Sequence, residues 1–140
     1  MARFTESYLL YLLAQASGQA SAAFHAQLAE QGVPVSTWRI LATLYPDAPA
    51  SISELCRSCL AKQPTMTRQI DRLAQAGLVT RESADEDRRR VTVRLTESGR
   101  GLARRLVAQA RAHEAEVLDG QSPAEIARMK SVLRGLIGAR

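Results

Sequence analysis

The stretch from Ser51 to Gly99 constrains this chain most, because its periodicity switches from helical to extended inside one short block. It opens with Ser51-Ile52-Ser53-Glu54, the pattern of a capping box, in which a serine oxygen and a glutamate reach back to free first-turn amides. Ile52, Leu55, Cys56, Cys59 and Leu60 follow at three-and-four spacing, the apolar face of a helix lying on a core. The pattern breaks at Ala61-Lys62-Gln63, and Pro64 stands where the first turn of a second helix tolerates proline. In that helix Met66, Ile70 and Leu73 make one side. Thr65, Arg68 and Arg72 repeat on the other, flanked by Pro64 and Gln69. Gly77 is placed to close the helix in the left-handed conformation that glycine adopts cheaply.

Beyond Gly77 the period becomes two. Leu78-Val79-Thr80-Arg81 reads as one strand, and Val91, Val93 and Leu95, alternating with Thr92 and Arg94, read as a second with one face buried. The polar loop from Ser83 to Arg88 is expected to join them, with Asp85-Glu86-Asp87-Arg88-Arg89-Arg90 at the hairpin tip. Arginines on such a projection suit a narrow minor groove, where the phosphate potential is most negative. Asp87 can orient Arg89 through two fixed hydrogen bonds, while Arg88 and Arg90 are expected at phosphate or water. Helix, turn, amphipathic helix and hairpin in that order predict a winged helix-turn-helix, mostly α with a small β-hairpin wing. Its second helix offers hydroxyl and guanidinium groups to a major groove.

At Glu54-Leu55, Thr65-Met66-Thr67-Arg68, Asp71-Arg72-Leu73, Gly77-Leu78-Val79, Arg81, Asp87-Arg88-Arg89 and Leu95-Thr96-Glu97-Ser98-Gly99 the chain resembles the MarR family of bacterial regulators. Motif order, spacing and length all agree. The resemblance implies a homodimeric repressor or activator on a pseudo-palindromic operator, its DNA affinity changed by a small phenolic ligand or by cysteine oxidation. It also implies that the family's aspartate-x-arginine wing motif falls on Asp87 and Arg89, and its recognition-helix contacts on Thr65, Arg68 and neighbours. The expected DNA-binding set is therefore Pro64, Thr65, Arg68, Gln69, Arg72, Asp87, Arg88 and Arg89.

The flanks read as helices. From Thr5 to about Gln31 a broad apolar arc runs through Leu9, Leu13, Ala16, Ala20 and Phe24, and Gly32 and Pro34 end it. A second helix from Ser36 carries Trp38, Leu41, Leu44 and Tyr45 to the turn Pro46-Asp47-Ala48-Pro49. Thr96 is a natural cap for a long helix to about Leu118, striped by Leu102, Leu106, Ala110, His113 and Val117. Ser122-Pro123-Ala124-Glu125 opens a last helix with Ile126, Met129, Leu133, Leu136 and Ile137 on one face. These terminal helices carry more apolar surface than the central module can cover. A two-fold dimer would bury it and set two recognition helices about one duplex turn apart, roughly 34–36 Å. Residues 1–34 and 101–140 are accordingly assigned to a helical dimerisation region and 35–100 to the DNA-binding domain.

At 140 residues the chain is of one domain's length. A net charge of +5, with arginine crowded at 88, 89, 90, 94, 100, 104 and 105, favours a polyanionic partner. No cleavable signal and no membrane span is visible, and two cysteines three apart are no secreted disulfide framework, so a cytoplasmic protein is expected. Cys56 and Cys59 are either core residues or a thiol pair that senses oxidants. They do not close a metal shell, and only His25 and His113 could help. The cysteine that hydroperoxide-sensing relatives carry near the start of the first helix is missing. Tyr8, Tyr11 and Trp38 either line a cavity for a small aromatic ligand or pack the dimer core. Arg105, Gln15 and His113 are weaker polar partners for such a ligand. With no glycine-rich phosphate loop and no clustered carboxylates, no catalytic constellation and no cofactor is expected. Two other readings keep the fold: a DNA-coating architectural protein of low specificity, and a winged module that binds protein.

Overall fold

A computed structural model describes residues 1–84 and 87–138, with the side chains of 84 and 87–89 outside the description. A 3-10 turn at Phe4–Glu6 precedes α1 (Leu9–Glu30) and α2 (Val35–Leu44). The central block follows as β1 (Ala50–Ser51), α3 (Ile52–Cys59), α4 (Gln63–Gln75), β2 (Val79–Ala84) and β3 (Asp87–Leu95), then α5 (Glu97–Val117) and α6 (Pro123–Gly138). Among the described residues, six α-helices and a small antiparallel sheet match the expected class. The first helix starts later than Thr5, because the chain through Phe4–Glu6 takes the tighter 3-10 spiral and Tyr8 offers no side-chain cap.

The predicted caps are in place. Ser51 Oγ accepts from the Glu54 amide at 3.1 Å while Glu54 Oε2 accepts from the Ser51 amide at 2.8 Å. Thr96 Oγ1 accepts from the Gly99 amide at 3.0 Å, starting α5. At the end of α4 the Leu78 amide donates to the Leu73 carbonyl and the Gly77 amide to the Ala74 carbonyl. With Gly77 at φ +75°, this is a Schellman close that leaves no Cβ in the left-handed position.

One core seals the block to the flanks. Leu28 from α1, Ile40, Leu41 and Leu44 from α2, Leu55 from α3, Met66 and Ile70 from α4, Val93 from β3 and Leu106 from α5 are buried together. Each such side chain contributes about 1.5–3 kcal/mol relative to exposure. The block from β1 to β3 is thus built into the body of the molecule rather than tethered to it.

The structure departs from the sequence reading at three further places. Leu60, expected on the apolar face of α3, is 86% exposed. The helix stops at Cys59, and Leu60 takes φ 55°, ψ 43°, which swings its side chain off the stripe. That left-handed conformation costs a residue with a Cβ about 1–2 kcal/mol. The hairpin arms are also longer than expected: β2 runs to Ala84, β3 begins at Asp87, and the register shifts between Ser83 and Ala84. Asp87 to Arg90 therefore belong to a strand, since the ladder uses backbone groups and continues past the last apolar residue of the alternation. Finally, β1 adds a third strand, with Ala50 opposite Val93 and Ser51 opposite Thr92. A two-residue strand has no period to read.

Among the described residues no helix is long and apolar enough to cross a membrane.

Candidate nucleic-acid interface

The outward face of α4 gathers most of the expected contacts. Its first turn is Gln63-Pro64, and Met66, Ile70 and Leu73 fasten its inner side to the core. The fastening turns Pro64, Thr65, Arg68 and Arg72 outward, all exposed, with Gln69 half-buried at the edge. Neither Arg68 nor Arg72 forms an ion pair with another described side chain. Thr67 differs from Thr65, because its hydroxyl donates back to the Gln63 carbonyl at 3.0 Å along the helix. Thr65, Arg68 and Arg72 thus make a row of exposed donors on a rigid support.

The wing is held beside that face by charge. Asp71 on α4 pairs with Arg81 on β2, joining the helix directly to the first wing strand. On the far side Arg94 reaches Asp47 at 3.0 Å, and Arg100 Nε donates to the Pro46 carbonyl at 3.1 Å, tying β3 and α5 to the link before β1. An open polar cleft of about 710 Å³ lies between wing and helices, lined among others by Glu54, Gln63, Thr67, Arg81, Arg90 and Thr92. Arg90 thus faces the same groove as the start of α4. The backbones of Asp87, Arg88 and Arg89 run in β3, and the contacts expected of their side chains lie outside the description. Sequence reading missed the Asp71–Arg81 tie, for which no local spacing gives a signal.

A second, apolar cavity of about 370 Å³ opens between α1, α2 and α5. Phe24 meets Trp38 edge-on at 5.2 Å and stacks on His113 at 5.7 Å. Ser21, His25 and Glu114 bring polar groups to its rim. His113 Nε2 lies 2.6 Å from the Ala20 carbonyl, and since a carbonyl only accepts, that nitrogen carries the proton. His113, named in the sequence reading as a polar partner for a ligand, lines this cavity. Of the aromatics expected at a cavity, Trp38 lines this one. Tyr8 and Tyr11 do not, nor do Gln15 and Arg105. Tyr8 stands twelve residues before Ala20, about 18 Å along α1 at 1.5 Å per residue.

Both thiols are free. Cys59 is buried, with Thr43 Oγ1 at 3.8 Å, and Cys56 is half-buried. Burial pushes the Cys59 thiol up, against the weaker opposing pull of the Thr43 hydroxyl and Arg39; Cys56 adds to the upward push. Cys59 is held as the protonated, less reactive form. Among the described residues no group of three His, Cys, Asp or Glu could hold a metal ion.

A family model described as MarR family matches residues 31–90. The HTH-type transcriptional repressor IacR of Pseudomonas putida is 29% identical over 128 residues, covering 91% of this chain and 77% of the relative. The HTH-type transcriptional regulator PecS of Dickeya dadantii (strain 3937) is 36% identical over 102 residues, or 71% of this chain, which spans 59% of that longer relative. Among solved structures, the MarR family transcriptional regulator SPO1453 from Silicibacter pomeroyi DSS-3 superposes with a TM-score of 0.85 at 43% identity. That match covers 99% of this chain and 98% of the other.

Proposed function

The chain belongs to the MarR family of transcription regulators, and from that premise we propose that it is a ligand-released homodimeric repressor of a pseudo-palindromic operator. The observation that carries this reading is the exposed row Pro64, Thr65, Arg68 and Arg72 on a helix whose other side is sealed into the core. Each α4 enters a major groove, where Thr65 and Arg68 meet base edges and the Arg68 fork suits guanine O6 and N7. Arg72 and Arg88 take phosphates, Pro64 and Gln69 shape the edges of the contact, and Arg89, steadied by Asp87, enters the flanking minor groove.

Two further parts of the reading rest on the flanks. Apolar side chains left exposed at the start of α1 and along α6 support a second copy as their cover. The cavity between α1, α2 and α5 has the aromatic walls and polar rim that suit a small, flat aromatic molecule. Wedged there, it acts on α2, which packs against α3 and α5 and so links the body to the reading head. Release requires the ligand to prefer the spacing of heads that does not fit the duplex, since equal affinity for both spacings shifts nothing.

A salt titration of Arg68→Ala and Arg89→Ala on matched and scrambled duplexes tests the assignment. Arg68→Ala loses about 1–3 kcal/mol on the matched duplex and relaxes preference at one position per half-site. Arg89→Ala weakens both duplexes and flattens the salt dependence. Identical behaviour of the two variants overturns the division of labour. A matched-to-random ratio below about 10³ favours a DNA-coating protein instead.

A further inference from the structure

Among the described residues four backbones lie in the left-handed region: Gly32, Leu60, Gly77 and Gly120. Three are glycines, the residue that sits there at little cost. The fourth is a leucine whose side chain touches almost nothing of its own chain. Leu60 therefore breaks two local rules at once, a Cβ held at positive φ and a large apolar group held in water, and neither is repaid inside the molecule. Its location supplies the reason. It closes α3 in the turn that leads to α4, just ahead of the exposed Pro64 and Thr65.

We propose that Leu60 is a DNA-contacting residue, its side chain laid against an apolar surface of the duplex beside the groove that α4 enters. The inference rests on α4 being the recognition helix. Two surfaces of a duplex offer the required chemistry, the 5-methyl group of thymine and the CH face of a deoxyribose. The left-handed backbone is what aims the side chain: on a continued helix it would stand one turn after the half-buried Cys56, at the edge of the apolar stripe, and at φ 55° it is 86% exposed. Strain kept where glycine would relieve it belongs with positions that work on a partner rather than on the fold.

The test uses a duplex selected by the wild-type protein from a random pool, with Leu60→Gly, Leu60→Asn, Leu60→Met and Arg68→Ala compared on it. Leu60→Gly removes strain and side chain together, so its Tm rises by about 2–5 °C while its affinity falls roughly tenfold. Leu60→Asn, polar and tolerant of the left-handed region, weakens binding likewise, and Leu60→Met stays within about twofold of wild type. A gain in stability joined to a loss of affinity is a pair of signs that a residue serving only the fold does not give. Uracil in place of thymine, one position at a time, separates the two surfaces. A position felt by wild type and not by Leu60→Gly identifies the methyl group, and no such position identifies the sugar. Wild-type affinity in Leu60→Gly overturns the proposal. Arg68→Ala then shows what else has failed: lost binding keeps α4 as the recognition helix, and retained binding removes both.

Discussion

A Cβ built on Gly99 would overlap the Leu78 carbonyl oxygen, a backbone atom that is held in place by a hydrogen bond. It already accepts from the Thr96 amide at 3.0 Å, while Thr96 Oγ1 donates to the Gly77 carbonyl at 2.6 Å and caps α5. The close of α4, the start of β2 and the start of α5 are locked at this one crossing. Gly99→Ala is expected to lose at least about 2–3 kcal/mol in urea unfolding. Gly101→Ala, with nothing within 4 Å of its added carbon, should be neutral or gain up to about 1 kcal/mol, as alanine does in a helix. The second residue-scale expectation concerns Cys59. Its folded value lies above the ordinary thiol value, so folding favours the protonated form. The contribution is therefore complete below the unfolded thiol pKa, about 8.5, and is lost as pH rises through the higher folded value. Urea stability should hold from pH 7 to about 8 and then decline toward pH 10 more steeply in wild type than in Cys59→Ala. Equal slopes would show that the buried thiol carries no such linkage.

At the scale of elements, what could be read from the sequence was what is local. The box at Ser51 and Glu54, the cap at Thr96 and the close at Gly77 each span a few residues, so residue type and spacing determine them. The inner face of α4 was legible for the same reason, as Met66, Ile70 and Leu73 repeat with the helix. The elements that escaped are those made by distant partners. β1 exists because Ala50 and Ser51 lie beside Val93 and Thr92, more than forty residues on. The cavity joins Phe24, Trp38 and His113 from three helices, and of these Trp38 and His113 were singled out for it while Phe24 was not. The tie between Asp71 and Arg81 is another such case, and it joins α4 to the first wing strand. Both partners are more than a third exposed, so solvent screening limits the pair to about 0.2–1 kcal/mol of stability in a double-mutant cycle. Its larger effect is expected on geometry. Asp71→Asn and Arg81→Gln should each weaken binding to the matched duplex, and the double variant should be no worse than either single. Additive losses would mean that the two residues act separately.

The whole molecule is unbalanced as a single copy. Leu9, Leu10 and Leu12 at the start of α1, Val117 at the end of α5, and Met129, Val132, Leu133, Leu136 and Ile137 along α6 all stand exposed. Exposed apolar side chains in such number are what an interface covers. Within the chain α6 is joined to α5 by Lys130 and Glu114 at 2.8 Å, an exposed ion pair too weak to order a sixteen-residue helix by itself. In the proposed dimer a second copy covers the apolar face of α6 and brings two reading heads onto one duplex. Replacing Leu133 and Leu136 together with glutamate tests this without touching α4 or the wing. The mass in sedimentation should fall to one chain, and Tm should cease to depend on protein concentration. DNA binding should then report the loss in two ways. Affinity for the matched duplex should drop by at least about a hundredfold, because the second half-site is no longer engaged at high effective concentration. The slope of log affinity against log salt should also fall to about half, since one head releases the counterions of one half-site only. A variant of unchanged mass would remove α6 from the interface, and a monomer that kept the full salt slope would show that one head alone makes every phosphate contact.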